Sequence, residues 1–179
     1  MMRRKTLVSL VGLIALVATV GQAPGDEGGK EKAKVDPKAV ARARKTVLML
    51  DDIYKTTIVL ITDKYVTKKD DVPAGRAFAA LFRQMSKKGY HTVRLIDVSG
   101  EPYNPRNIAE DAFEKRGVEQ LKAGKASYEQ VVTENGKPYL RAITAIPVVM
   151  DKCVLCHPNY KDAKKGAAIG ALTYKVPVE

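Results

Sequence analysis

Val47, Leu50, Tyr54, Ile58, Ile61 and Tyr65 recur every three or four residues. That spacing predicts one long amphipathic helix from about Pro37 to Val66. Its start is well specified: Asp36 can cap the free amides, and Pro37 stands at the first helical position, where its missing donor costs nothing. Met49, Ile53 and Leu60 widen the apolar stripe. A stripe this wide packs on its own domain or on a second subunit, so a homodimer through this helix is a candidate assembly. "TKKDDVPAG" then breaks the pattern. A second helix is expected from about Pro73 to Lys88, with Phe78, Leu81, Phe82 and Met85 on one face and Gly89 as its stop.

The residues after Gly89 change period. "HTVRLIDV" alternates and is rich in β-branched residues, which predicts a strand ended by the turn-forming "SGEPYNP". Asn107 with Glu110 has the spacing of a capping box and predicts a third helix running to about Ala123. Ser127 to Met150 reads as a β-hairpin about Asn135-Gly136, the favoured two-residue turn. "AAIGALTYKVPV" supplies a last strand. The expected fold class is α+β, an antiparallel sheet with helices on one face and a long N-terminal helix.

The first residues obey a different logic. Arg3, Arg4 and Lys5 precede an uncharged apolar run from Leu7 to Val20, and small residues follow to Ala23. A basic start, a short apolar run and a small-residue exit make a secretory signal. The run is short for a membrane span, which needs about 20 apolar residues. Residues 1–23 are therefore expected to be a cleaved signal peptide, with an uncleaved anchor as the alternative. Residues 24–35 are charged and glycine-rich, a flexible linker, and 36–179 form the domain. The chain is thus expected in the periplasm or otherwise exported.

The formal charge is +11; the signal removes three cations and no acid, which leaves +8. A basic exported domain suits a solvated lysine-rich surface, or steering toward an acidic partner protein. Nucleic acid is not an expected partner outside the cytoplasm.

The chemistry concentrates in "KCVLCHPNYK", residues 152 to 161, which holds both cysteines, Cys153 and Cys156, and one of the two histidines, His157. Three readings share this spelling. A structural zinc needs four ligands. Cys153, Cys156, His157 and His91 make four, but adjacent Cys156 and His157 are poorly spaced for one metal. A redox disulfide normally opens a helix after a strand, whereas this motif leads into proline, lysines and glycine. Covalent haem fits the spacing best. Each thiol adds across one vinyl group of the porphyrin, and the adjacent histidine is placed under the iron.

With the motif placed between two strands, the chain resembles a family of exported single-haem c proteins with a PAS-like fold, also found as periplasmic sensing modules of chemoreceptors. "YNPRNIAEDAFE", with its Phe113-Glu114 pair, "AITAIPVVMDKCVLCH" and "GAAIGALTYKVPVE" carry the resemblance, over roughly Gly89 to Glu179. It implies haem c held by Cys153 and Cys156, with His157 as the proximal iron ligand. Some members supply a cysteine as the second iron ligand; this chain has no third cysteine. Met85, on the apolar face of the second helix, and His91, at the start of the first strand, are the distal candidates. Met49 across a dimer is a third, and an open site is the remaining possibility. Each of these residues has an ordinary packing role as its alternative. Arg94, Tyr139 and Arg141 are strand residues that either meet haem propionates or face solvent.

The expected function is that of a monohaem c-type cytochrome in electron transfer or redox sensing, working with a redox partner protein. The alternatives are a haem-based gas sensor acting through a separate partner and a thiol-disulfide oxidoreductase. A haem enzyme would need an acid-base set beside the iron, and beyond His91 none is evident, so no enzymatic activity is expected.

Overall fold

A computed structural model of the chain describes residues 35–67, 74–102, 104–153, 157, 160–164 and 166–179. The expected signal peptide, nearly all of the linker and Cys156 lie outside the described residues. Among the described residues, three helices, α1 (Pro37–Tyr65), α2 (Ala74–Lys88) and α3 (Ala112–Lys122), accompany four strands. These are β1 (Thr92–Asp97), β2 (Ser127–Glu134), β3 (Lys137–Pro147) and β4 (Ala168–Pro177). The strands make one antiparallel sheet in the order β1-β4-β3-β2. The α+β class expected from the sequence is the class observed, and the arrangement is compatible with a PAS-like fold.

Local signals explain most of the boundaries. Asp36 accepts the Lys38 amide at 2.9 Å at the start of α1. Asn135 and Gly136 take φ of 51° and 76°, the left-handed pair that a tight hairpin turn between β2 and β3 requires. The third helix is a correction. Asn107 lies in a short 3₁₀ turn capped by Asn104, and α3 begins at Ala112. The reciprocal cap is displaced by four residues: Asp111 accepts the Glu114 amide, and Glu114 accepts the Glu110 amide, both at 2.9 Å. The later pair is favoured because its acid, Glu114, is buried facing Arg94 at 3.1 Å and Arg141 at 4.0 Å.

The sheet has two covered faces, which corrects the expectation of helices on one face only. Val93, Leu140, Ala142, Leu172, Tyr174 and Val176 meet α1 and α2 through Ala43, Val47, Tyr54, Phe78 and Phe82. Ile96, Ile143 and Ala171 point the other way, to Phe113 and Leu121 of α3. Alternation along each strand forces this split, since neighbouring side chains point to opposite faces. Gly117 lets α3 lie close: a Cβ there would stand 2.5 Å from Cγ2 of Ile143.

A polar knot ties α1 to the middle of the sheet. Asp51 accepts Thr144 Oγ1 at 2.6 Å, Tyr174 OH at 3.0 Å and Lys55 Nζ at 2.9 Å. Burial beside that carboxylate pushes the Tyr174 hydroxyl far above its usual range, so it stays a donor. Along α1, Val47 and Tyr54 are buried and Leu50, Ile58 and Ile61 join the core. Met49, Ile53 and Leu60 are more than half exposed, and so is Tyr65, which departs from the expected stripe. Leu81 of α2 is exposed as well, although Phe78 and Phe82 on the same helix are buried. Among the described residues, no helix is long and apolar enough to cross a membrane.

Candidate functional site: an apolar cleft beside the cysteine motif

β3 and β4 are neighbours in the middle of the sheet, yet the chain between them is 20 residues long. That connection carries the motif. At the end of the sheet it meets the C-terminal half of α1 and the start of α2, and the three enclose a cleft of about 1100 Å³ including its open mouth. The walls are mainly apolar: Ile58, Val59 and Val66 of α1 and its C-cap, Leu95 and Ile96 of β1, and Ile146 of β3. Cys153 and His157 both line it, as do Met150, Lys152 and Tyr160 from the same connection. Its lining is the mix of apolar surface with few polar groups that ligand sites show.

The motif connection is fixed at both ends. Before Cys153, Lys152 donates to the Asp63 backbone carbonyl at 2.6 Å, which ties the strap to the end of α1. The Cys153 amide donates to the Met150 carbonyl at 3.0 Å, which turns the chain just ahead of the motif. After His157, the Tyr160 amide donates to the His157 carbonyl at 2.9 Å, and the two rings stack with centroids 5.2 Å apart. The Tyr160 hydroxyl donates to Asp97 Oδ1 at 2.9 Å. Burial lowers the His157 pKa, with Asp97 partly opposing it, so the ring is held toward the neutral form that a metal ligand requires.

The chemistry of this donor set suits a porphyrin. A half-buried thiol and a largely neutral imidazole share one strap over an apolar slot, which is what covalent attachment and axial ligation of haem need.

The distal candidates are not part of this cleft. His91 is buried on the Val93 face, as alternation requires, but its Nε2 lies 3.0 Å from the Tyr54 hydroxyl. Burial lowers its pKa. Met85 is half-buried on α2 and Met49 is 56% exposed on α1; neither lines the cleft.

Arg94 and Arg141 belong to a second, polar cleft on the opposite face of the sheet. Arg94 Nη1 meets Glu110 at 2.8 Å and Glu114 at 3.1 Å, while Arg141 Nη1 meets Asp111 at 2.6 Å. Burial raises the Glu114 pKa despite these cations. For Asp111, burial pushes upward but the Arg141 bond and the amides of α3 outweigh it, and its pKa falls. Tyr139 lies under Lys175, whose Nζ is 5.0 Å from the ring centre.

Sequence reasoning missed Tyr160, Asp97 and the share of α1 in the cleft. Tyr160 belongs to the quoted motif stretch, but nothing local shows that its hydroxyl reaches a strand 63 residues earlier.

With the geometry in hand, the profile of the Tll0287-like family matches residues 32–176. The chain belongs to the Tll0287-like family. The match runs from before α1 through the motif connection to within one residue of the end of β4. Among solved structures, the crystal structure of the cyanobacterial haem-protein Tll0287 is similar in fold, with a TM-score of 0.55 at 11% identity. The alignment covers 79% of this chain and 96% of that one. No curated protein matches.

Proposed function

We propose that this member of the Tll0287-like family is a periplasmic monohaem c-type cytochrome that carries electrons or reports redox state, and not an enzyme. The observation that carries the reading is that Cys153 and His157 line one apolar cleft from a single strap clamped at both ends. The similar fold of a cyanobacterial haem-protein supports haem as the group this cleft takes. Cys153 and Cys156 would hold it and His157 would bind its iron. Bound there, haem supplies a one-electron iron couple whose potential depends on axial ligation, hydrogen bonding and burial. The chain's own part is to exclude water with Ile58, Val59 and Leu95 and to hold the strap in place. The basic balance supports an acidic protein as the redox partner.

The test is to express the full chain in a host that matures c-type cytochromes and to look for haem that survives denaturation. Covalent haem with reduced c-type bands is expected, lost in Cys153→Ala/Cys156→Ala. An exported protein with two reactive thiols and no covalent haem would overturn the reading and favour thiol-disulfide chemistry.

One observation favours the gas-sensing alternative as a second reading. Among the described lining residues, α1 with its C-cap and α2 contribute Ile58, Val59, Thr62, Val66, Ala74 and Gly75, none with a nitrogen or sulfur ligand. Carbon monoxide added to the reduced protein separates the two. An unchanged low-spin spectrum supports electron transfer; a shifted Soret band supports sensing.

A further inference from the structure

Tyr160 is held more firmly than a loop tyrosine needs to be. Its amide donates to the His157 carbonyl at 2.9 Å, its ring lies on the His157 ring at 25° between planes, and its hydroxyl reaches Asp97. Asp97 is itself fixed without Tyr160. It ends β1, pairs with Gly170 of β4, and accepts Ser99 Oγ at 2.7 Å and the Gly100 amide at 2.6 Å. The sheet therefore offers a rigid anchor, and Tyr160 transmits that anchor to one ring of the motif.

We propose that Tyr160, tethered by Asp97, is the positioning residue that sets the ring plane of His157. The proposal rests on the reading of His157 as an iron ligand. A metal-bound imidazole is normally oriented by its surroundings, and disturbing the outer partners typically costs 10–100-fold in affinity or activity. Here a stacked ring fixes the plane, and a carboxylate on the sheet fixes the ring. Asp97 also lines the cleft, and its charge would favour the ferric over the ferrous state of a haem bound there.

The variants are made in the full-length, haem-loaded protein. Tyr160→Phe keeps the stacked ring and removes the tether. It should broaden the ferric EPR signal, because the imidazole plane is no longer single, with covalent haem content held and a modest fall in melting temperature from the lost Asp97 bond. Asp97→Asn should move the ferrous-to-ferric ratio about tenfold toward ferrous, an upward shift of about 59 mV for one electron. The double variant should broaden the EPR signal no further than Tyr160→Phe alone, since both act through one contact. An EPR signal for Tyr160→Phe identical to the parent overturns the proposal, and so does additive broadening in the double variant.

Should Tyr160→Phe fail to fold, NMR of the haem-loaded, reduced, carbon monoxide-bound parent reads the same contact. A cross-relaxation peak between the His157 and Tyr160 rings is expected, and its absence overturns the proposal. A parent that never acquires covalent haem overturns the haem reading, and the positioning role falls with it. Covalent haem with an EPR signal indifferent to Tyr160→Phe overturns the positioning role alone.

Discussion

The two clefts of this domain lie on opposite faces of one sheet and are built from opposite materials. The motif cleft is walled by aliphatic side chains, with a thiol and an imidazole at its rim. The other gathers Arg94, Arg141, Lys175, Asp111, Glu114 and Glu134, each cation already facing an acid. A cleft whose charges are mutually paired has little left to offer a ligand. An apolar slot gains by being filled, because its surface is otherwise left to water. The same strands serve both, since alternation sends Leu95 to one cleft and Arg94 to the other. The contrast teaches that polarity alone does not mark a site.

The comparison can be broken most strongly by exchanging the materials. Leu95→Asp sets an unpaired charge in the apolar cleft, and a loss of about 3 kcal/mol or more in stability is expected. On the proposed reading the thioether bonds keep the haem attached, and its spectrum changes. Urea denaturation and the haem spectrum measure the two effects. Glu114→Ala attacks the other side. It strips Arg94 and Arg141 of an acid that is 4% exposed, and about 2–3 kcal/mol of destabilisation is expected with the haem spectrum unchanged. A spectral change in Glu114→Ala would show that the clefts communicate.

Two smaller effects sharpen the contrast. His91 is a polar group in the apolar core, and burial favours its neutral form. The unfolded chain takes up that proton at about pH 6.5. The contribution of His91 is thus fully present above that pH and declines as pH falls below it. In the haem-loaded protein, His91→Gln should flatten the stability profile between pH 7 and 5.5. Without haem, His157 adds to the slope in the same direction, with Asp97 partly opposing it. Last comes Lys175→Ala, which removes a half-exposed pair with Glu134 at the rim of the polar cleft. Thermal melting should register no more than about 0.5 kcal/mol.

Where a signal is local, the sequence was legible. Asp36-Pro37, Asn135-Gly136 and the alternation through Val93 and Leu95 each act within a few residues, and each element formed where expected. The third helix began late because two pairs with cap spacing compete, Asn107-Glu110 and Asp111-Glu114, and the contacts of buried Glu114 with half-buried Arg94 and Arg141 are not local. That His91 shares a face with Val93 was readable from alternation. That it meets Tyr54 was not, because the partner lies 37 residues earlier on another element. The cleft itself was readable as a motif but not as a space, since its walls come from α1, α2, β1, β3 and β4 as well as from the motif connection.

The motif sits between the two central strands of the sheet, and this has a consequence for how the protein is made. β3 and β4 pair along nearly their whole length, but the chain must first close a 20-residue loop to let them meet. Closing such a loop costs entropy before any ladder bond forms. On the proposed reading, both thioether bonds fall inside that loop and gather its middle onto one rigid ring. Maturation of the cofactor would then double as a folding step: the prosthetic group shortens the search that the middle of the sheet has to make.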